Sequence, residues 1–146
     1  NAVSYADFAI AYSPEMVEGL TVGYGQGDVE VVAGTEIEHT AMYAKYTYGS
    51  VTVGYQNNEA DAAAAASDVE FEAFGISYAV NDSLSVAYNS SESVVGTTGT
   101  QEASGISASY TAGGMTIAGV MNDVDNVAGV AATDTEGYEL NLSFAF

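Results

Sequence analysis

The chain has 146 residues, of which 20 are acidic and a single one, Lys45, is Lys or Arg, so its net charge is −19. This balance excludes nucleic acid as a partner, because neutralising phosphates requires Lys and Arg, and it disfavours docking on anionic lipid. The absence of cysteine excludes a disulfide scaffold, and no apolar run approaches the roughly 20 residues of a membrane-spanning helix.

A unit of about thirty residues recurs along the chain. Its copies start at Leu20, Val51, Leu84 and Met115, which are 31, 33 and 31 residues apart. Each copy is a short alternating strand that runs into a polar, acidic segment, and a second strand with a tight turn precedes it. The repeat therefore predicts the order strand, short turn, strand, long loop.

Alternation with a period of two predicts nine strands. They lie near residues 2–12, 19–26, 38–48, 51–57, 69–80, 84–90, 103–112, 115–122 and 136–146. In the first strand Val3 and Tyr5 are out of phase with Phe8 and Ile10, which predicts a bulge near Asp7.

Each predicted strand has one apolar face and one face of small residues. Tyr recurs at both ends of the apolar faces, as side chains at two membrane interfaces would. Fifteen of the 20 acidic residues fall in or next to the four long segments, whereas Glu15, Glu18 and Asp82 lie at short turns. A soluble β-sandwich also alternates, but its polar face normally carries Lys, Glu and Arg. The pattern favours an all-β, transmembrane, antiparallel up-and-down β-barrel.

The phrases SYAVNDSLSVAYNSSES, ASGISASYTAGGMTIAGVMND and GYELNLSFAF resemble the C-terminal half of alphaproteobacterial general porins. The resemblance implies a non-enzymatic barrel of 16 strands, usually a homotrimer, in the Gram-negative outer membrane. It also implies a water-filled channel for passive diffusion of small hydrophilic solutes. The ending resembles the segment that the barrel-assembly machinery reads, with alternate residues facing lipid: Tyr138, Leu140, Leu142, Phe144 and Phe146.

In such barrels the C-terminus is periplasmic, so a ninth strand running inward requires the first strand to start outside. Bacterial single-chain barrels have an even number of strands that starts in the periplasm. We therefore expect residues 1–146 to be the C-terminal portion of one longer barrel domain. The alternative is an eight-stranded barrel complete from Glu15, which side chains would fill.

Residues on the small-residue face are the candidates for lining the pore. Lys45, the only basic side chain among them, either opposes acidic groups at a constriction or pairs with one nearby carboxylate. The candidates are Tyr43, Lys45, Thr47, Thr52, Ser77, Ser85, Ser107, Glu139, Asn141 and Ser143.

The acidic segments suggest a further ligand, Ca²⁺, which binds several carboxylate and carbonyl oxygens. The best clusters are Asp123 with Asp125 and Asp28 with Glu30, but no EF-hand spacing appears, and simple solvated loops explain these clusters more readily. The predicted function is a porin that prefers cations. The alternative is a structural or adhesive barrel whose acidic loops bind an external ligand or a phage.

Overall fold

The computed structural model describes residues 4–32, 35–62, 64 and 67–145, and nine β-strands lie within these ranges. The strands are β1 (Ser4–Tyr12), β2 (Leu20–Val32), β3 (Thr35–Tyr48), β4 (Val51–Ala62), β5 (Val69–Ala79), β6 (Leu84–Val95), β7 (Gln101–Ala112), β8 (Met115–Asp125) and β9 (Thr135–Phe144). Each pairs antiparallel with the next in a single sheet of order β1 to β9. The prediction of nine strands in an up-and-down arrangement is confirmed.

In the described ranges, a 3₁₀ turn lies at Val127–Gly129. Within those ranges no helix is both long enough and apolar enough to cross a membrane. Val3 and Phe146, which belong to the predicted first and last strands, lie outside the described residues.

The connections between strands differ from the predicted alternation of short turns and long loops. On one side of the sheet, here called the turn side, they are residues 13–19, 49–50, 80–83 and 113–114. On the opposite side, the loop side, they are residues 33–34, 63–68, 96–100 and 126–134. The loop-side connections are shorter than predicted because β2, β4, β6 and β8 continue into the acidic segments, and the longest of them, residues 126–134, lies where a long loop was predicted.

The predicted bulge near Asp7 is also wrong. The pairing of β1 with β2 is unbroken from Ser4 to Tyr12, which face Glu30 and Val22 respectively. Tyr5 and Asp7 therefore lie on the opposite face of β1 from Phe8, in a regular strand.

The sheet is staggered as a barrel wall must be. Tyr48 pairs with Val51 directly beside the turn that joins β3 to β4. Following the paired residues from strand to strand, a register row, leads from this pair to Ala108 and Gly119. These two residues lie four residues away from the turn that joins β7 to β8. The stagger is thus close to one residue per step between strands. With a rise of about 3.3 Å per residue and about 4.8 Å between strands, it corresponds to a tilt of about 35°, as in closed barrels.

The two faces of the sheet differ in the size and polarity of their side chains. No hydrophobic residue in the described ranges is buried. Large apolar side chains project from the outer face and are exposed, among them Ile10 (64 %), Leu140 (75 %) and Tyr138 (90 %). The inner face carries mainly Gly, Ala, Ser and Thr. Because water would penalise this exposed apolar area, the outer face requires lipid on its turn-side half.

Polarity reverses along each strand. On the outer face, the apolar residues of each strand end near its middle. In the loop-side half, acidic or amide residues occupy the outward-facing positions. The last large apolar residues before this change are Tyr24, Met42, Tyr55, Phe74, Tyr88, Ile106, Met121 and Tyr138. Tyr24, Tyr55 and Tyr88 therefore mark the loop-side edge of the apolar band. The sequence had suggested that they lie at the ends of their strands, but the strands continue beyond them.

Candidate solute pathway on the inner face

All ten candidate pore-lining residues lie on the inner face, as the alternation predicted. Five of them share one register row that crosses β3 to β9, with Ala87 and Val120 between them: Thr47, Thr52, Ser77, Ser107 and Glu139. The other five lie within two rows of it: Tyr43, Lys45, Ser85, Asn141 and Ser143.

The polar side chains of this face bond locally, which fixes their orientation. The Thr47 and Thr52 hydroxyls lie 3.0 Å apart, and Thr111 and Thr116 repeat this cross-strand pair at 2.8 Å. The Asn141 amide donates to the Glu139 carboxylate. The lower inner wall is therefore a hydrogen-bonded polar surface.

Lys45 lies on a part of the wall that has almost no side chains. Its register neighbours on β4 and β5 are Gly54 and Gly75, and Asn89 follows on β6. These residues border a recess of about 290 Å³. No carboxylate in the described ranges forms a salt bridge with Lys45, so the expectation of a wall lysine paired to one acid is not supported there.

Two glycines on the inner face accommodate neighbouring side chains. The Tyr43 ring covers Gly23 of the next strand so closely that a Cβ there would overlap it. A Cβ on Gly105 would lie 2.5 Å from the Asn122 Oδ1 and 3.2 Å from the Asn89 Oδ1. Tyr43 therefore lies flat against the wall, and two amides lean over Gly105 from either side.

Several inner-face residues with functional side chains were missed in the sequence. Asp7 was assigned to a bulge, and Asn89 and Asn122 lay at the ends of the predicted strands. His39 is next to Glu38 and close to Glu36 in the sequence, yet it lies on the opposite face of β3 from both. The signal that would have identified them is the unchanged two-residue phase, continued past the point where the outer residues become acidic.

Most carboxylates lie on the outer face of the loop-side half, on strands and not in loops. Glu72, Glu92, Glu102 and Asp125 form one register row across four strands. Like charges directly opposite one another repel. Accordingly, Asp123 and then desolvation, with Asp134, Glu102 and Glu136 adding to them, raise the pKa of Asp125.

The residues of the Ca²⁺ hypothesis share this outer surface. Asp28 faces Glu38, and Asp123 faces Ser104 and Glu136. Asp125 and Glu30 are their neighbours two residues along each strand. Among the described residues, no three acidic or His side chains converge as a metal site would require.

The last strand presents the predicted side chains on the outer face. Tyr138, Leu140, Leu142 and Phe144 are 90, 75, 56 and 57 % exposed. Phe146 falls outside the described ranges. The edge of β9 away from β8 has no partner strand in those ranges, and neither has the edge of β1 away from β2.

No family model and no curated protein matches the sequence. Among solved structures, the chain is similar to a mutant of the Rh. blastica porin, with a TM-score of 0.71 and 20 % identity over 97 % of this chain and 46 % of that one. It is also similar to the outer-membrane-expressed OmpT of Vibrio cholerae, with a TM-score of 0.60 and 15 % identity over 97 % and 56 %. The chain thus spans about half the length of each structure.

These similarities show the fold: the chain has the architecture of an outer-membrane β-barrel. The prediction of an all-β up-and-down barrel is confirmed by both neighbours, and the predicted Gram-negative outer-membrane location agrees with this fold. The narrower family, the alphaproteobacterial general porins, stays a prediction, since identities of 20 and 15 % are too low to show it.

Proposed function

We propose that the protein is an outer-membrane porin that lets small hydrophilic solutes diffuse passively through a water-filled lumen and performs no covalent chemistry. The observation that carries the proposal is the turn-side half of the sheet. There a wall of Thr, Ser and Asn, hydrogen-bonded at its Thr pairs and at Asn141, backs directly onto an exposed apolar band. A filled eight-stranded barrel would instead place packed, buried side chains on that inner face.

The proposal includes closure of the barrel by further strands. Unpaired strand edges are not tolerated in lipid, because each free N–H and C=O costs several kcal/mol. Since β1 and β9 run in the same direction, an odd number of added strands closes the sheet with antiparallel pairs throughout. The 16-stranded barrel implied by the family resemblance meets this condition, and a homotrimer in lipid accompanies it in the proposal.

We propose that the pore prefers cations. The support comes from the net charge of −19 and from the carboxylates that surround the loop-side end. Among the residues that the structure describes, strand-borne charges on the inner face are few, comprising Asp7, Glu139 and Lys45, with His39 as a further titratable group. The preference would thus come from the field at the mouth more than from the wall, and it should weaken as salt screens that field.

Planar-bilayer recording of the protein purified from its outer membrane tests both parts. Stepwise channels, with a reversal potential in a salt gradient that indicates cation preference at neutral pH, are expected. The preference should fall between about 0.1 M and 1 M salt, as the Debye length shrinks from about 10 to 3 Å. Channels that prefer anions would refute the selectivity alone.

A membrane that stays silent with correctly folded protein would refute the pore. That result would favour the structural or adhesive barrel, whose external partner would bind the acidic surface. The strand-borne carboxylates of that surface, such as Glu72 and Glu92, would then be the residues to substitute.

A further inference from the structure

The inner face has a second recess, at the loop-side end of β1 to β5, with a volume of about 510 Å³. Its floor is Gly25 and Gly27 of β2, and Asp7 and His39 flank Gly27 in the same register row. One glycine separates these two side chains, so their Cα atoms are about 10 Å apart. We call this recess the Asp7 groove.

The far wall of the Asp7 groove is apolar. Because polarity reverses on the loop side, the inner positions of β4 and β5 there include Ala60, Val69 and Phe71. Tyr5 of β1 stands on the near side and is 76 % exposed. A ligand here would contact two aromatic rings and several aliphatic groups, the usual lining of a small-molecule site.

Asp7 gives this mostly apolar groove a charge that no described residue balances. Its carboxylate makes no salt bridge and no side-chain hydrogen bond in the described ranges. The only Lys or Arg in the chain is Lys45, six residues beyond His39 along β3. Asp28 and Glu59, on the other face of the same wall, add to the negative field.

From this charge and shape we infer that the Asp7 groove binds a small organic ammonium ion with an apolar or aromatic body. Asp7 pairs with the ammonium group, Tyr5 and Phe71 contact the cation and its body through their rings, and the glycine floor allows the body to lie against the backbone. The inference adds a solute class to the proposed porin, and it rests on that function only in placing the groove beside a solute pathway.

The test uses purified protein in detergent and two probes of nearly equal shape, phenethylammonium and neutral 2-phenylethanol, with binding measured by titration calorimetry. Saturable binding of the ammonium ion, at least about fivefold tighter than that of the alcohol, is expected. An Asp7→Asn variant should lose most of this difference, about three- to fivefold in Kd, which is the upper range for an exposed ion pair.

Two further variants keep the test interpretable. Gly25→Leu fills the floor without a backbone clash, because a Cβ there meets its nearest atom at 3.5 Å, and it should abolish binding of both probes. Glu139→Gln removes the other inner-face strand carboxylate, on β9, and should leave the Kd for phenethylammonium unchanged.

Equal affinity for both probes, or an unchanged Kd in Asp7→Asn, would overturn the inference. Recording channels from the same preparation separates it from the proposed function. Open channels without saturable ammonium binding refute the groove and leave the porin standing. Saturable binding without channels supports the groove and refutes the porin.

Discussion

The two halves of each strand have opposite polarity. On the turn side the outer face is apolar and the inner face is polar or small, whereas on the loop side the outer face is acidic and the inner face contains Val29, Phe71, Val95 and Val124. The strands are continuous through this change and the pairing register is kept. The difference shows that a single sheet crosses two environments.

The boundary between these halves follows from solvent. On the turn side of the boundary, lipid contacts the outer face and tolerates no charge, so the polar residues face inward. On the loop side of the boundary, water contacts the outer face and favours carboxylates. The apolar residues that then face inward gather at one end of the pathway, which is why the Asp7 groove lies there and not at mid-wall.

The comparison predicts its largest effect for one substitution placed in each half of β6. Val86 and Glu92 share the outer face of this strand, Val86 in the apolar band and Glu92 between Glu72 and Glu102. Val86→Lys should destabilise the folded protein by about 2–4 kcal/mol, the cost of a cation near the bilayer midplane. Glu92→Lys should change stability by about 1 kcal/mol or less, toward stabilisation, because it converts two repulsions into attractions.

Urea unfolding in lipid vesicles, followed by far-UV circular dichroism, measures both variants of β6. If both lysines destabilise equally, the boundary at Tyr88 is misplaced or absent. A large cost for Glu92→Lys alone would contradict the assignment of the loop side to water.

A smaller effect is predicted for glycines on the inner face. Gly23→Ala should cost about 1–3 kcal/mol, because the added methyl group must displace the Tyr43 ring and overpacking carries this penalty. Gly54→Ala is the control, since a Cβ there meets its nearest atom only at 3.9 Å. A Gly23→Ala, Tyr43→Ala double variant should recover part of the stability that Gly23→Ala loses. Unfolding of the unsubstituted protein, the two single variants and the double variant measures this recovery as a coupling free energy. Additive losses would show that the ring does not lie over Gly23.

The strands themselves could be predicted because alternation survives any single irregular residue. All nine were identified, and the turn-side ends agree with the structure at Tyr12, Tyr48 and Ala112. These ends are marked by tight turns with local chemistry. Gly49 and Gly113 have φ of 58°, and the Asn81 side chain accepts from the Ser83 and Leu84 N–H groups.

The loop-side ends could not be predicted from an apolar phase alone. Asp28 and Glu30 read as loop residues, but they occupy the outer positions of a strand whose inner positions are Gly27 and Val29. The same reversal explains Tyr5, which was assigned to a bulge because an aromatic residue was expected to face lipid. The candidate pore-lining face could be predicted from the two-residue alternation along each strand. The Asp7 groove could not, because it depends on which residues of five neighbouring strands are paired in one register row.

Inner and outer charges should differ in their effect on selectivity. Lys45→Met removes the inner-face cation and should raise the cation-to-anion permeability ratio about two- to threefold, the scale of one charge several ångströms from an ion in water. Glu59→Gln removes a carboxylate from the outer face and should lower the ratio by less. Reversal potentials in a salt gradient give both ratios. A larger effect of Glu59→Gln than of Lys45→Met would show that a single carboxylate at the mouth outweighs the inner-face cation.

The smallest predicted effect concerns the crowded carboxylates at the top of β8. Because Asp123 and the neighbouring acids raise the pKa of Asp125 above its ordinary value of 3.8, the folded state holds that proton more tightly than the unfolded chain does. The resulting stabilisation is complete below the ordinary pKa and is lost as pH rises through the raised one. Acidification from neutral pH should therefore raise the amide-exchange protection factors, which correct for the intrinsic pH dependence of exchange, at Val124 and Thr135, where β8 pairs with β9. Asp123→Asn should lower the pKa of Asp125 and reduce this acid-induced protection, whereas Asp82→Asn, on the turn side, should change neither. An unaltered titration of Asp125 in Asp123→Asn, followed by carboxyl NMR, would show that the outer acids of the loop side are too well solvated to interact.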